Sequence, residues 1–262
     1  MTNQVTTILL LGVLSAVLVA FGGMLGPGYL YFFTGLAVLV NLGAYFFSDR
    51  IVLAMHQARE VAPEDAPRLH AVVEELAVIA ELPKPRVFLI EDPHANAFAT
   101  GRSPSRGVVA VTTGILGLLN ERELRGVLGH ELGHIKNRDI LISSIGAALA
   151  MAITHTPNVI QLSALFGGSH RQQEGEDGTG APAGGLLMAL VAPLAATLVQ
   201  LGISRSREYL ADEAGARIAG DPEGLASARE KLARNAERVP GDARPATASL
   251  FIVNPLAGPA VC

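Results

Sequence analysis

The sequence predicts a mainly α-helical membrane protein with a small β-sheet, about four membrane helices and a soluble domain interrupted by two of them. Three observations carry this. Half of the 262 residues are hydrophobic, with a mean hydropathy of +0.37. The 20 basic and 24 acidic side chains avoid residues 1–48, 140–170 and 178–204 altogether. The remaining stretches have the charge density of an ordinary soluble surface. The chain therefore divides into a membrane hairpin (1–48), a first soluble part with a small sheet (49–139), two further hydrophobic helices joined by an acidic Gly-rich loop (140–204), and a second soluble part (205–262).

Each span follows from length. A helix needs about 20 apolar residues to cross a hydrocarbon core. Thr6 to Leu25 and Tyr29 to Phe47 meet this on either side of a Gly26-Pro27-Gly28 break, and Tyr29, Tyr31 and Tyr45 sit where interface aromatics belong. No Lys or Arg precedes the first run and a second follows at once, so the pair is expected to be an anchor rather than a cleaved leader. Ile140 to Phe166 and Gly185 to Ile203 are long enough to span, with kinks expected at Pro157 and Pro193. The third run is fairly polar (Ser143, Ser144, Thr154, His155), so a helix buried in protein or lying along the bilayer is its alternative. Gly167 to Gly184, with one Arg against three acids, is a loop. Arg50, Arg59, Lys136, Arg138, Arg205 and Arg207 flank the opposite span ends, which predicts a cytosolic soluble domain.

Within the soluble part, Leu69, Val72, Val73, Leu76, Ile79 and Ala80 recur at helical spacing between Asp65 and Glu81. Val87–Ile90, Ala97–Thr100 and Val108–Val111 are short apolar runs bounded by Pro, Asp, Gly and Ser, and are expected to be strands. Asn120 with Glu123 three places on is a capping box that opens a helix. The helix of the fourth apolar run is expected to continue past Ser204 through Ala219, stopped by Gly220, and another is expected from Asp221-Pro222 to Pro240-Gly241.

Composition removes several functions. A net charge of -4 without a basic stripe gives no footprint for nucleic acid. Cys262 is the single cysteine, so a metal would have to be bound by His and carboxylate.

Such residues occur in His130-Glu131-Leu132-Gly133-His134, inside the helix that Asn120 opens. A four-residue step turns a helix by about 400°, so both imidazoles leave one face and can reach one ion. Glu131 lies one step round, where a carboxylate can take a proton from water during hydrolysis. Gly126, Gly129 and Gly133 allow another backbone to approach. A catalytic zinc needs three protein ligands and one open position. The best third candidate is Glu208, with Asp212 one turn on to accept an N–H from a ligand histidine. His56, His70, His94, His155 and His170 have no helical partner and are expected to be surface or packing residues.

Together with Glu208-Tyr209-Leu210-Ala211-Asp212, Asn96-Ala97-Phe98-Ala99-Thr100-Gly101 and Val111-Thr112-Thr113-Gly114, the HELGH segment resembles the HtpX-type heat-shock membrane metalloproteases, gluzincins related to the CAAX prenyl endopeptidases. The ordered match runs from the first span to about Leu256. The resemblance implies a zincin-like fold and a zinc endopeptidase of the cytoplasmic membrane that degrades misfolded or damaged membrane proteins on the cytosolic side. It implies one Zn2+ per chain on His130, His134 and Glu208, with Glu131 as general base and Asp212 behind the ligands. It also implies that Asn96 to Thr100 is an edge strand that binds substrate backbone; the residues by themselves read as an ordinary buried strand. The family usually continues into a His-Pro-Pro turn and a basic helix, which this sequence lacks; stability and full activity are expected to depend on them, but no zinc ligand is lost.

Two other readings compete: an intramembrane zinc protease, opposed by Arg122, Arg125, Lys136 and Arg138 around HELGH, and a membrane scaffold with a structural metal, which has no need of Glu131. Unfolded membrane proteins and the bilayer are the expected partners; the sequence does not fix an oligomeric state.

Overall fold

The computed structural model describes residues 2–146 and 205–238. Most of the third apolar run, all of the fourth, the loop between them and the expected helix end at Pro240 lie outside the described residues.

Helix α1 (Thr2–Leu25) and helix α2 (Pro27–Met55) form the N-terminal hairpin. Gly26 turns the chain at φ 126°, a backbone open to glycine, and Pro27 starts α2 where its missing N–H costs nothing. The two helices touch closely. A Cβ on Gly22 would stand 2.7 Å from the Phe33 Cβ, Phe21 meets Phe33 edge-to-face, and Asn41 Nδ2 donates to Ser15 Oγ at 2.6 Å. Both are long and apolar enough to cross a bilayer.

Helix α2 passes the expected end at Phe47, runs through Asp49 and Arg50, and stops only at Met55. Its last turns bury Val52 and Leu53 against Phe88, Ile90, Phe98, Val108 and Ala110. Covering that sheet face stabilises the extension. The apolar helix is thus continuous with the packing of the sheet.

The sheet has four strands in the order β1-β2-β4-β3: β1 (Arg59–Glu60), β2 (Arg86–Ile90), β3 (Ala97–Thr100) and β4 (Val108–Thr112). β2 and β4 are parallel, while β1 and β3 run antiparallel at the edges. β1 was not expected, since two residues carry no period. Val87, Ala97, Ala99, Val109 and Val111 join the main core with α3 (Pro67–Ile79) and the helix at Glu121–Lys136; the alternate residues face α2. Burial on both faces explains why the strands read as continuous apolar runs.

After α4 (Thr113–Leu118), α5 (Glu121–Lys136) opens with both bonds of the capping box: Asn120 accepts from the Glu123 N–H at 2.9 Å, and Glu123 Oε2 from the Asn120 N–H at 3.0 Å. Glu123 also accepts from Lys231 Nζ and Ser227 Oγ, both at 2.7 Å, which ties α5 to α7 (Pro222–Arg238). Helix α6 (Arg205–Ala219) ends at Gly220, φ 68°.

The three glycines of α5 set the helix spacing. A Cβ on Gly126 would lie 2.5 Å from the Leu225 nitrogen, on Gly129 2.9 Å from the Gly215 oxygen, and on Gly133 2.8 Å from the Ala211 oxygen. Ala211 lies on the helix that carries Glu208. Gly133→Ala should therefore push α6 away and destabilise the domain by about 1–3 kcal/mol of overpacking, against ~1 kcal/mol gained in helix propensity. A lower unfolding temperature together with weaker metal binding is the expected result in detergent.

Candidate active site

His130 and His134 project from one face of α5, and the close α5–α6 packing brings Glu208 opposite them. The two Nε2 atoms are 3.1 Å apart; Glu208 Oε2 lies 3.7 Å from the first and 3.9 Å from the second. Three donors on a tetrahedral zinc with bonds of about 2.1 Å stand roughly 3.4 Å apart. The observed triangle brackets that spacing, so these residues fit a divalent metal.

The outer nitrogens support the same fit. Asp212 Oδ1 lies 2.8 Å from His130 Nδ1, and Asp139 Oδ2 is 3.1 Å from His134 Nδ1. A carboxylate on each Nδ1 holds the proton there. The two Nε2 atoms then face each other at 3.1 Å, an arrangement that needs either a shared proton or a metal cation between them. Burial lowers the His134 pKa, but the bond to Asp139 together with the negative charges of Asp139, Glu131 and Glu208 raises it to about 9. Burial raises the Asp212 pKa, yet His130 and the bidentate Arg229 (2.6 and 2.8 Å) hold it below the usual range.

Asp139 is delivered by the end of α5. The Arg138 N–H donates to the Ile135 carbonyl and the Asp139 N–H to that of His134, with Arg138 at φ 58°. This is a Schellman turn whose left-handed position, usually glycine, holds arginine. Arg138→Gly should relieve roughly 1 kcal/mol and raise the unfolding temperature without changing metal affinity, as measured by thermal unfolding and metal titration.

Glu131 is buried, with 4% of its surface exposed, and its Oε2 accepts the Ala99 N–H at 2.7 Å. Burial pushes its carboxyl above the usual carboxylate range. The bond also fixes what β3 presents. The Thr112 N–H donates to the Asn96 carbonyl on the inner side of β3, so by antiparallel alternation Ala97 and Ala99 point their N–H and C=O groups away from β4. Ala97 and Ala99 thus form an outward-facing sheet edge on the side of the His130, His134 and Glu208 triangle, with one N–H already held by Glu131. Phe98 faces α2, Thr100 Oγ1 bonds Ser144 Oγ at 2.6 Å, and the Asn96 N–H donates to Thr112 Oγ1.

Three neighbours of the triangle were not anticipated: Asp139, Arg229 and the position of Arg207. Arg207, read from the sequence as an interfacial charge, is buried at 6% exposure. Burial lowers its pKa while Asp139 and Glu208 oppose the shift, so its guanidinium balances the carboxylates around the site. Asp139 carries the one available sequence signal, an acid five residues past His134 at a helix end. The remaining described histidines lie elsewhere: His56 packs on Phe98, His70 Nε2 faces the Val61 carbonyl at 3.0 Å, and His94 bonds Asp92. His155 and His170 lie outside the described residues.

Residues 63–254 match the sequence description of peptidase family M48. The chain is 49% identical to the "Protease HtpX homolog" of Syntrophobacter fumaroxidans over 98% of its own length and 92% of that relative. It is 50% identical to the same-named protein of Pelotomaculum thermopropionicum, covering 99% and 92%. The crystal structure of S. mikatae Ste24p has a similar fold, with a TM-score of 0.51 and 20% identity over 91% of this chain and 59% of that one. The chain belongs to peptidase family M48, among the HtpX-type membrane metalloproteases.

Proposed function

We propose that the protein is a zinc endopeptidase of the cytoplasmic membrane that cuts misfolded or damaged membrane proteins on their cytosolic side, as a quality-control enzyme under stress. The observation that carries this reading is the juxtaposition of the His130, His134 and Glu208 triangle with Glu131, itself bonded to the β3 edge at Ala99.

His130, His134 and Glu208 would hold the zinc, with Asp212 and Asp139 orienting the imidazoles. Zinc bound there supplies a Lewis acid that polarises a carbonyl and acidifies a water. The rest falls to the chain itself. A substrate segment laid along Ala97 and Ala99 is held extended by backbone bonds. Glu131, anchored through Oε2, keeps its other oxygen to take a proton from the attacking water and pass it to the leaving amine. The raised basicity that burial gives Glu131 suits this transfer. Backbone pairing reads no side chain, so selectivity is loose and favours segments already unfolded.

Exposed ion pairs on α5 and its neighbours favour a site in water rather than within the bilayer. Arg125 clamps Glu75 at 2.6 and 2.8 Å, and Arg122 pairs with Asp221 and Glu223. The flanking arginines favour the cytosol. Inverted membrane vesicles holding the full chain and a destabilised membrane protein with tags on both sides test this. Fragments cut in cytosolic loops are expected; cuts inside a span or only on the far side would overturn the reading.

A further inference from the structure

The sheet is polarised relative to the membrane helix that supports it. Along α2 the chain runs from the apolar hairpin towards His56, whose ring lies 5.3 Å from that of Phe98 in β3. Four residues beyond Phe98, the Arg102 guanidinium lies over the ring of Phe46, 5.0 Å from its centroid, about three turns back along α2. β3 therefore descends towards the bilayer as it runs from Ala97 to Thr100. By the sheet register the first residues of β2 and β4, Arg86 and Val108, lie at that same end, and Ile90 and Thr112 at the other.

Charge follows this axis. The membrane-facing end carries Arg86, Arg102 and Arg106, the last two in the acid-free loop Arg102-Ser103-Pro104-Ser105-Arg106, while Glu91 and Asp92 follow β2 at the far end. Arg50 joins the basic end, stacked over Phe47 at 5.9 Å. Phe46 and Phe47 are about half exposed, as residues that meet lipid would be. Arg86 is paired with Glu60 at 3.6 Å, and Asp49 adds one acid beside Arg50. Among the described residues, no carboxylate lies within 4 Å of Arg50, Arg102 or Arg106.

We propose that Arg50, Arg102 and Arg106 form a binding site for the phosphate headgroups of anionic phospholipids, which seats the β3 end of the sheet on the membrane surface. Phe47 and Phe46 place the guanidinium groups of Arg50 and Arg102 at the boundary between hydrocarbon and water and leave their N–H edges for phosphate oxygens, and Arg106 follows in the same loop as Arg102. The inference rests on α2 crossing the bilayer and is independent of the metal chemistry.

The full chain in neutral detergent, titrated separately with phosphatidylglycerol, phosphatidylcholine and inorganic phosphate and followed by native mass spectrometry, tests it. Phosphatidylglycerol should be retained at least about fivefold more tightly than phosphatidylcholine, and each of R50Q, R102Q and R106Q should cost about fivefold, the value of one arginine at an anionic surface. The R102K/R106K variant should keep most of the preference, with unfolding temperatures unchanged throughout. Equal retention of the two lipids, an unaltered preference in the triple glutamine variant, or displacement of the lipid by equimolar inorganic phosphate would each overturn the proposal.

Discussion

Replacing Glu131 by Gln is expected to leave the metal bound and the domain folded while cleavage of an unfolded membrane substrate falls by about 10²–10⁴-fold. Glutamine keeps the shape, and its amide oxygen can still accept the Ala99 N–H that Glu131 Oε2 accepts at 2.7 Å. It cannot accept a proton at neutral pH. The variant also replaces a carboxyl that burial has already made costly to ionise, so the fold should lose no stability. Equal turnover by wild type and E131Q would remove Glu131 from the chemistry.

The second large effect is expected behind the ligands. Asp212→Asn and Asp139→Asn should each lower zinc affinity by about 10–100-fold, because each carboxylate fixes the proton on the Nδ1 of a different ligand histidine. Asp212 carries a second consequence: its bidentate Arg229 loses an anionic partner, so D212N should also lower the unfolding temperature. The double variant should bind zinc more weakly than either single one. Competition against a chromophoric chelator measures all three, and unchanged affinity in D139N would reduce Asp139 to a helix-end residue.

Much of this architecture was legible in the sequence because it depends on local chemistry. Asn120 with Glu123 announces a helix start, and the HELGH spacing places two imidazoles on one face wherever that helix lies. The apolar runs at 87–90, 97–100 and 108–111 match strands to within a residue. The failures share a different cause. β1 exists only through pairing with β2, and the last turns of α2 are stabilised by a sheet face distant in sequence. Asp139 reaches His134 through a left-handed turn at Arg138, where residue preferences favour glycine. Arg207 looks like a membrane-flanking charge until its burial beside Asp139 and Glu208 is seen. The outward-facing edge of β3 was the least visible from residues alone, because an edge that presents its backbone outward has the same composition as a buried strand.

One chain is expected to build a complete hydrolytic zinc site from His130, His134, Glu208 and Glu131. Metal analysis of the purified full chain, coupled to cleavage of a membrane-protein substrate before chelation, after it and after zinc is restored, decides whether it does. One equivalent of zinc per chain is predicted, with cleavage abolished by the chelator and recovered on adding zinc back. Cleavage that persists in the stripped protein, or a full equivalent of zinc with no cleavage under any condition, would contradict it.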